Sequence, residues 1–127
     1  MTLTDKVCAV LSADAGVTAI CPATRVKPYG SQQGLTLPYI VHGGSLDGTT
    51  QTHDAGLAKL KRWHYKVSCF AASFSAAETL AVAVKAALGN YRQGGLNSHL
   101  IGEMPMPYES DVRVQQIVLE FEMWEAL

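Results

Sequence analysis

The residue types in this 127-residue chain that could do chemistry are few and scattered. Cys8, Cys21 and Cys69, with His42, His53, His64 and His99, are the candidate nucleophiles and metal ligands. A zinc-type site needs converging ligands, usually announced by Cys-x-x-Cys or His-x-x-x-His pairs, and neither pattern occurs. His64 falls on the polar side of an alternating segment and His42 near a strand end, so both read as exposed or hydrogen-bonded structural residues. Cys69 alternates onto an apolar face, where a thiol behaves as a small hydrophobe; a catalytic thiolate needs an electropositive, partly exposed setting. Gly43-Gly44-Ser45 and Gly94-Gly95 lack the spacing of a phosphate-binding loop and read as turn glycines. Glu120 and Glu122 share one strand face, as acid–base pairs do, yet same-face acids also protect solvent-facing strands from aggregation. The expectation is a non-enzymatic protein with no catalytic residue, metal or cofactor.

The elements that would position these residues are clearest between Arg62 and Leu88, where the hydrophobic period changes. Trp63, Tyr65, Val67 and Cys69 alternate with Arg62, His64, Lys66 and Ser68, the pattern of a half-buried strand. Ala77, Leu80, Ala81, Val84 and Leu88 then recur on one helical stripe, with Ser75-Ala76-Ala77-Glu78 spaced as a capping box and Gly89 closing the helix. Upstream, Leu3, Val7, Val10 and Leu11 form a shorter helical stripe that Thr2 or Thr4 can cap and Asp14-Ala15-Gly16 ends. Val17 to Ile20 suits one further turn, and Arg25-Val26-Lys27 a short extended piece. Ser31 to Gly34 reads as loop, and Leu37 to His42 as a strand with Pro38 at its start or on an edge. Gly43 to Gly56 is a long polar gap, either a functional loop or partly a hairpin with its neighbours. Asn90 to Asn97 reads as loop, Ser98 to Met104 as a strand stopped by Pro105 and Pro107, and Arg113 to Trp124 as a final strand. In that last strand Ile117, Leu119, Phe121 and Met123 face one way, and Gln116, Val118, Glu120, Glu122 and Trp124 the other. The sum is one α+β domain spanning 1–127, a mainly antiparallel sheet packed against one long helix plus an N-terminal helix.

Charge narrows the function. Net charge is −1, without the concentrated basic face of a general nucleic-acid binder. Beyond Arg92 only Arg113 is basic, against Glu103, Glu109, Asp111, Glu120, Glu122 and Glu125. That acidic half is either a solvated strand face or a surface that repels DNA or meets a basic partner. Trp124, beside acids, is a candidate contact aromatic or an edge-covering one. The odd, widely spaced cysteines and the start Met-Thr-Leu-Thr-Asp point to a reduced, cytoplasmic site of synthesis, and no apolar run is long enough to span a membrane.

The order of these motifs resembles the tail-completion, or tail-terminator, proteins of long-tailed bacteriophages. The resemblance rests on Asp14-Ala15-Gly16-Val17, Arg25-Val26-Lys27-Pro28, Leu37-Pro38-Tyr39-Ile40-Val41, the block Tyr65 to Phe74 with the helix Leu80 to Leu88, and the strand Val118 to Trp124. It covers nearly the whole chain and brings no catalytic motif. It implies a structural virion protein made in the bacterial host cytoplasm: a ring, typically a homohexamer, at the head-proximal end of the tail. Such a ring would stop polymerisation of the tail-tube protein, meet the head–tail connector and pass DNA only as cargo. A head-side connector or stopper subunit is the near alternative, and a small cytosolic enzyme or binding domain the distant one. Asp47, Gln51, His53 and Asp54 are the expected interface loop. Glu103, Glu109, Asp111, Glu120 and Glu122 are the expected acidic lumen or partner face.

Overall fold

The computed structural model describes residues 2–29, 36–51, 58–111 and 113–126, with the backbone alone at 46–51, 58–61 and 126. Helix α1 spans Leu3–Ala13 and opens on a capping box in which the Thr2 hydroxyl accepts from the Asp5 amide (3.2 Å) and the Asp5 carboxylate from the Thr2 amide (3.1 Å). Its end differs from the expected glycine stop. Asp14, in extended conformation, ends α1, and its carboxylate accepts the Val17 amide to start the one-turn helix α2, Ala15–Thr18, which contains Gly16. A second cap is therefore what turns the chain. A 3₁₀ turn, Ala23–Arg25, leads into strand β1, Val26–Pro28.

Strand β2 runs Tyr39–Gln51 and pairs antiparallel with β3, Ala58–Ala71, so the polar stretch after Gly43 is a long hairpin as far as Gln51. Of the two readings offered for that stretch, the hairpin holds over the described residues; Ser31 to Gly34 and residues 52–57 lie outside them. The reason lies in Gly43 and Gly44. A Cβ on Gly43 would come within 2.3 Å of the Tyr29 ring, and one on Gly44 within 2.5 Å of the Tyr65 ring. The two glycines let tyrosine rings lie flat against both sides of one strand, a close-approach role that looks like turn chemistry in the sequence.

Helix α3, Phe74–Leu88, is capped by Ser73, whose hydroxyl accepts the Ala76 amide (3.2 Å), two residues before the expected Ser75. Ser73 is the residue that leaves β3 in extended conformation, so it meets the first free amides of the helix. Strands β4, Asn90–Gln93, and β5, Leu96–Pro105, form a tight hairpin where a loop was expected. Gly94 and Gly95 both take positive φ (59° and 79°), the two-residue turn that matches strand twist. Strand β6, Gln115–Ala126, is central: the sheet order is β1-β2-β3-β6-β5-β4, antiparallel throughout except for β1 beside β2.

The fold is thus α+β, with the helices on one face of a six-stranded sheet. Ala77, Leu80, Ala81, Val84 and Leu88 of α3 and Leu3, Val7 and Leu11 of α1 are buried against Tyr65, Val67, Cys69, Ile117, Leu119, Phe121 and Met123. The α3 stripe is the one its period predicts, and so is the α1 stripe except for Val10, which is half-buried. Lys6 of α1 also reaches Glu125 of β6 (3.0 Å), tying the first helix to the last strand.

Candidate functional site

The opposite face of the sheet carries no helix among the described residues, and its polarity follows from register. Lys66 lies opposite Glu120, His64 opposite Glu122 and Arg62 opposite Trp124, while His99 of β5 flanks Glu122 from the other side. Side chains connect these positions diagonally. His64 Nε2 is 3.6 Å from a Glu120 oxygen, Trp124 Nε1 donates to Glu122 (3.0 Å), and the Arg62 guanidinium stands 5.8 Å over the Trp124 ring. Opposite charges at facing positions, as at Lys66 and Glu120, contribute a few tenths of a kcal/mol up to about 1 kcal/mol, and the Arg62–Trp124 contact adds a similar amount. The face is therefore compensated rather than acidic.

The residues expected to form one acidic surface are dispersed. Glu120 and Glu122 share the open face. Glu103 turns to the helix side, where Lys85 of α3 pairs with it at 2.7 Å. Glu109 closes a small bridge with Val114, and Asp111 is exposed in the turn between them. Asp47 and Gln51 belong to the backbone of β2, and His53 and Asp54 lie outside the described residues. Trp124 is half-buried and hydrogen-bonded within the open face. Sequence alternation assigns Arg62, His64 and Lys66 to this side of β3, but only the β3–β6 register sets the two cations, Arg62 and Lys66, among the acids.

One end of the same face is apolar. Tyr39 and Phe70 stack with centroids 4.6 Å apart and, with Met106, Pro107, Val114 and Gln116, line a hollow of about 310 Å³. Its wall is held in place: the Gln115 amide donates to Met106 O (2.6 Å), Met106 N donates to Gln116 O, and Arg113 adopts φ 54° in the turn that the Glu109–Val114 bridge closes. Met104, Met106 and Tyr108 are exposed around it. Adaptable methionines beside rigid aromatics are residue types enriched at contact surfaces.

Three of the chemically capable residues, His42, Cys21 and Cys69, are buried. His42 is fully buried and shares a 2.7 Å hydrogen bond through Nδ1 with Tyr65, while its Nε2 has no partner among the described residues. Burial pulls its pKa down to about 4, so it is neutral at pH 7. Burial pushes the Cys21 thiol up to about 11 and drives that of Cys69 upward as well, which removes thiolate character from both. Among the described residues no group of three or more His, Cys, Asp or Glu converges to hold a metal ion, and no helix is long and apolar enough to cross a membrane.

The described residues thus form an α+β domain with a mixed-charge open face and a hollow beside Tyr39 and Phe70 at one end of it. The chain belongs to the family of tail completion protein gp17, whose profile matches residues 5–125. It is accordingly a structural protein of a phage virion tail. Its fold is also that of a chain in the virion of a native gene transfer agent particle, with a TM-score of 0.79 at 20% identity over 98% of this chain and 95% of that one. No curated protein sequence matches it.

Proposed function

We propose that this chain forms a ring at the head-proximal end of the tail, where it ends tail-tube polymerisation and provides the surface to which the head connector joins. The observation that carries this reading is the sheet with helices on one side only. A ring subunit needs one face toward a channel and another that builds the wall. The open face suits the channel. Glu120 and Glu122 stand among Arg62, His64 and Lys66, so a passing polyanion meets neither a strong repulsive field nor a row of unpaired cations to grip it. The β2–β3 hairpin, with Asp47 and Gln51 in β2 and His53 and Asp54 following in the sequence, supplies a contact for the tube or connector. Glu109, Asp111 and the hollow beside Phe70 supply another at the opposite end of the strands.

Electron microscopy of particles made without this protein tests the role. Overlong, headless tails are the expected result. Filled heads that leak DNA would replace this reading by that of a head-side stopper. Exchanging residues 52–55 for a Gly-Ser linker should leave the monomer folded and impair tail joining; normal joining would remove the hairpin from the contact set.

A further inference from the structure

Each edge of the sheet is covered over only part of its length, at opposite ends. On one side β1 pairs only with Ile40, Val41 and His42 of β2. On the other, β4 pairs only with Leu96 to His99 of β5, leaving Leu100–Pro105 without a strand neighbour among the described residues. These half-strands stand at different heights. Lys27, Val41, Ser68, Val118 and Met104 form one row across the sheet, so β1 is level with the uncovered half of β5. Asn90, His99, Glu122, His64 and Ser45 form a row above it, so β4 is level with a stretch of β2 that β1 does not reach and that has no outer strand neighbour among the described residues.

We propose that neighbouring copies of this chain join edge to edge in a half-lap, β1 of one copy seated beside Gly102–Pro105 of the next and directly below its β4. The inference rests on the ring reading and specifies its joint. One column of the combined sheet is then filled from both sides, by β4 from one copy and β1 from the other, with no stagger between copies. Strand directions agree. β1 runs parallel to β2 and therefore antiparallel to β5. The β5 irregularity falls between Leu100 and Gly102, at the height where the column changes owner.

Side chains complement each other across the same joint. The β1 edge offers Lys27, with Arg25 just before it. The β5 edge offers Ile101 and Met104, 51% and 55% exposed, with Glu109 and Asp111 just beyond, neither of them ion-paired among the described residues. A basic edge thus meets an acidic and aliphatic one, a heterologous contact that closes into a ring when the rotation allows. Pro28 and Pro105 each lack an amide hydrogen at this joint, so side chains rather than a full ladder hold it, and free copies resist open-ended edge pairing. Five columns per copy amount to about 24 Å of circumference at ~4.8 Å per strand.

Backbone parity supplies the test. Tyr29 N donates inward to His42 O and Met106 N inward to Gln116 O, so Lys27 and Met104, each two residues away, also turn their backbone groups inward. They face each other as a non-hydrogen-bonded antiparallel pair, about 4.5 Å apart at Cα, which is within disulfide reach. Full-length Lys27→Cys/Met104→Cys protein, oxidised in solution and on tail tubes, should give a ladder of covalent oligomers that neither single variant gives. Rings seen by light scattering or microscopy without that ladder would overturn the half-lap and leave the ring reading intact. Wild-type chain that stays monomeric alone and on tubes would overturn both. As a check independent of cysteine chemistry, Met104→Lys, beside Lys27 of the neighbour, should raise the concentration needed for assembly by about tenfold, whereas Met104→Glu should not. Equal behaviour of those two variants, with unchanged monomer melting, would also overturn the joint.

Discussion

The helix-covered face and the open face of this sheet are built from the same strands, one residue out of step. On β3, Tyr65 and Val67 go to the helices while His64 and Lys66 go to the open side; on β6, Phe121 and Leu119 alternate with Glu122 and Glu120. The first set is dry, close-packed and intolerant of volume change. The second consists of paired charges in partial contact with water, where single interactions are small. Stability therefore resides mainly on one face, and the charged groups open to solvent lie on the other.

Substitutions that distinguish the faces follow in order of size. Phe121→Ala, at a fully buried position, should cost about 3–5 kcal/mol in urea unfolding; a loss near zero would mean the core is not where the burial places it. Acid should attack the same face through His42. Its folded pKa, about 4, lies below the ordinary 6.5, so the unfolded chain takes up the proton first. Its contribution is intact above pH 6.5 and is lost as pH falls toward 4, about 3 kcal/mol in all. His42→Gln should flatten that part of the pH–stability profile, and a profile of unchanged slope would count against the assignment.

Adjacent glycines give a comparison within one strand. Gly44→Ala pushes a methyl group into the buried Tyr65 ring and should cost about 1–3 kcal/mol. Gly43→Ala meets Tyr29, a half-exposed ring that can swing outward, and should cost less in thermal melting. A reversed order would break the contrast between the faces. Smallest of all, Glu120→Gln should change stability by no more than about 0.5 kcal/mol. It leaves Lys66 without its directly opposite acid, and its effect should appear in salt-dependent retention of DNA by assembled particles rather than in melting.

The helix-covered face could be read from the sequence almost residue by residue, because a buried stripe must keep its period: all five predicted positions on α3 and three of the four on α1 are buried. Local devices were harder to place. Ser73 and Ser75 both suit a cap, and only the direction in which the chain leaves β3 selects Ser73. Gly43-Gly44 looks like punctuation until Tyr29 and Tyr65, 14 and 21 residues away in the chain on either side, come to rest against it. The candidate surface was half visible. Both charged rows were apparent in β3 and β6, but their mutual neutralisation depends on a register between distant segments, which a single sequence does not encode locally.

That distant register has a bearing on how the molecule comes into being. β2 and β3 are neighbours in the chain and can close as a hairpin early, but β6 reaches β3 only after α3, β4 and β5 have been made. Until then the inner edge of β3 is an open template. Arg62 and Lys66 lie along the waiting strand as like charges, which discourages a second unfinished chain from adding there. When β6 arrives, Glu120 takes its place opposite Lys66 and the repulsion becomes a cross-strand pair. The same side chains that balance the finished face thus act earlier as a guard against misassembly, and a slow refolding step sensitive to Lys66→Val would be its kinetic trace.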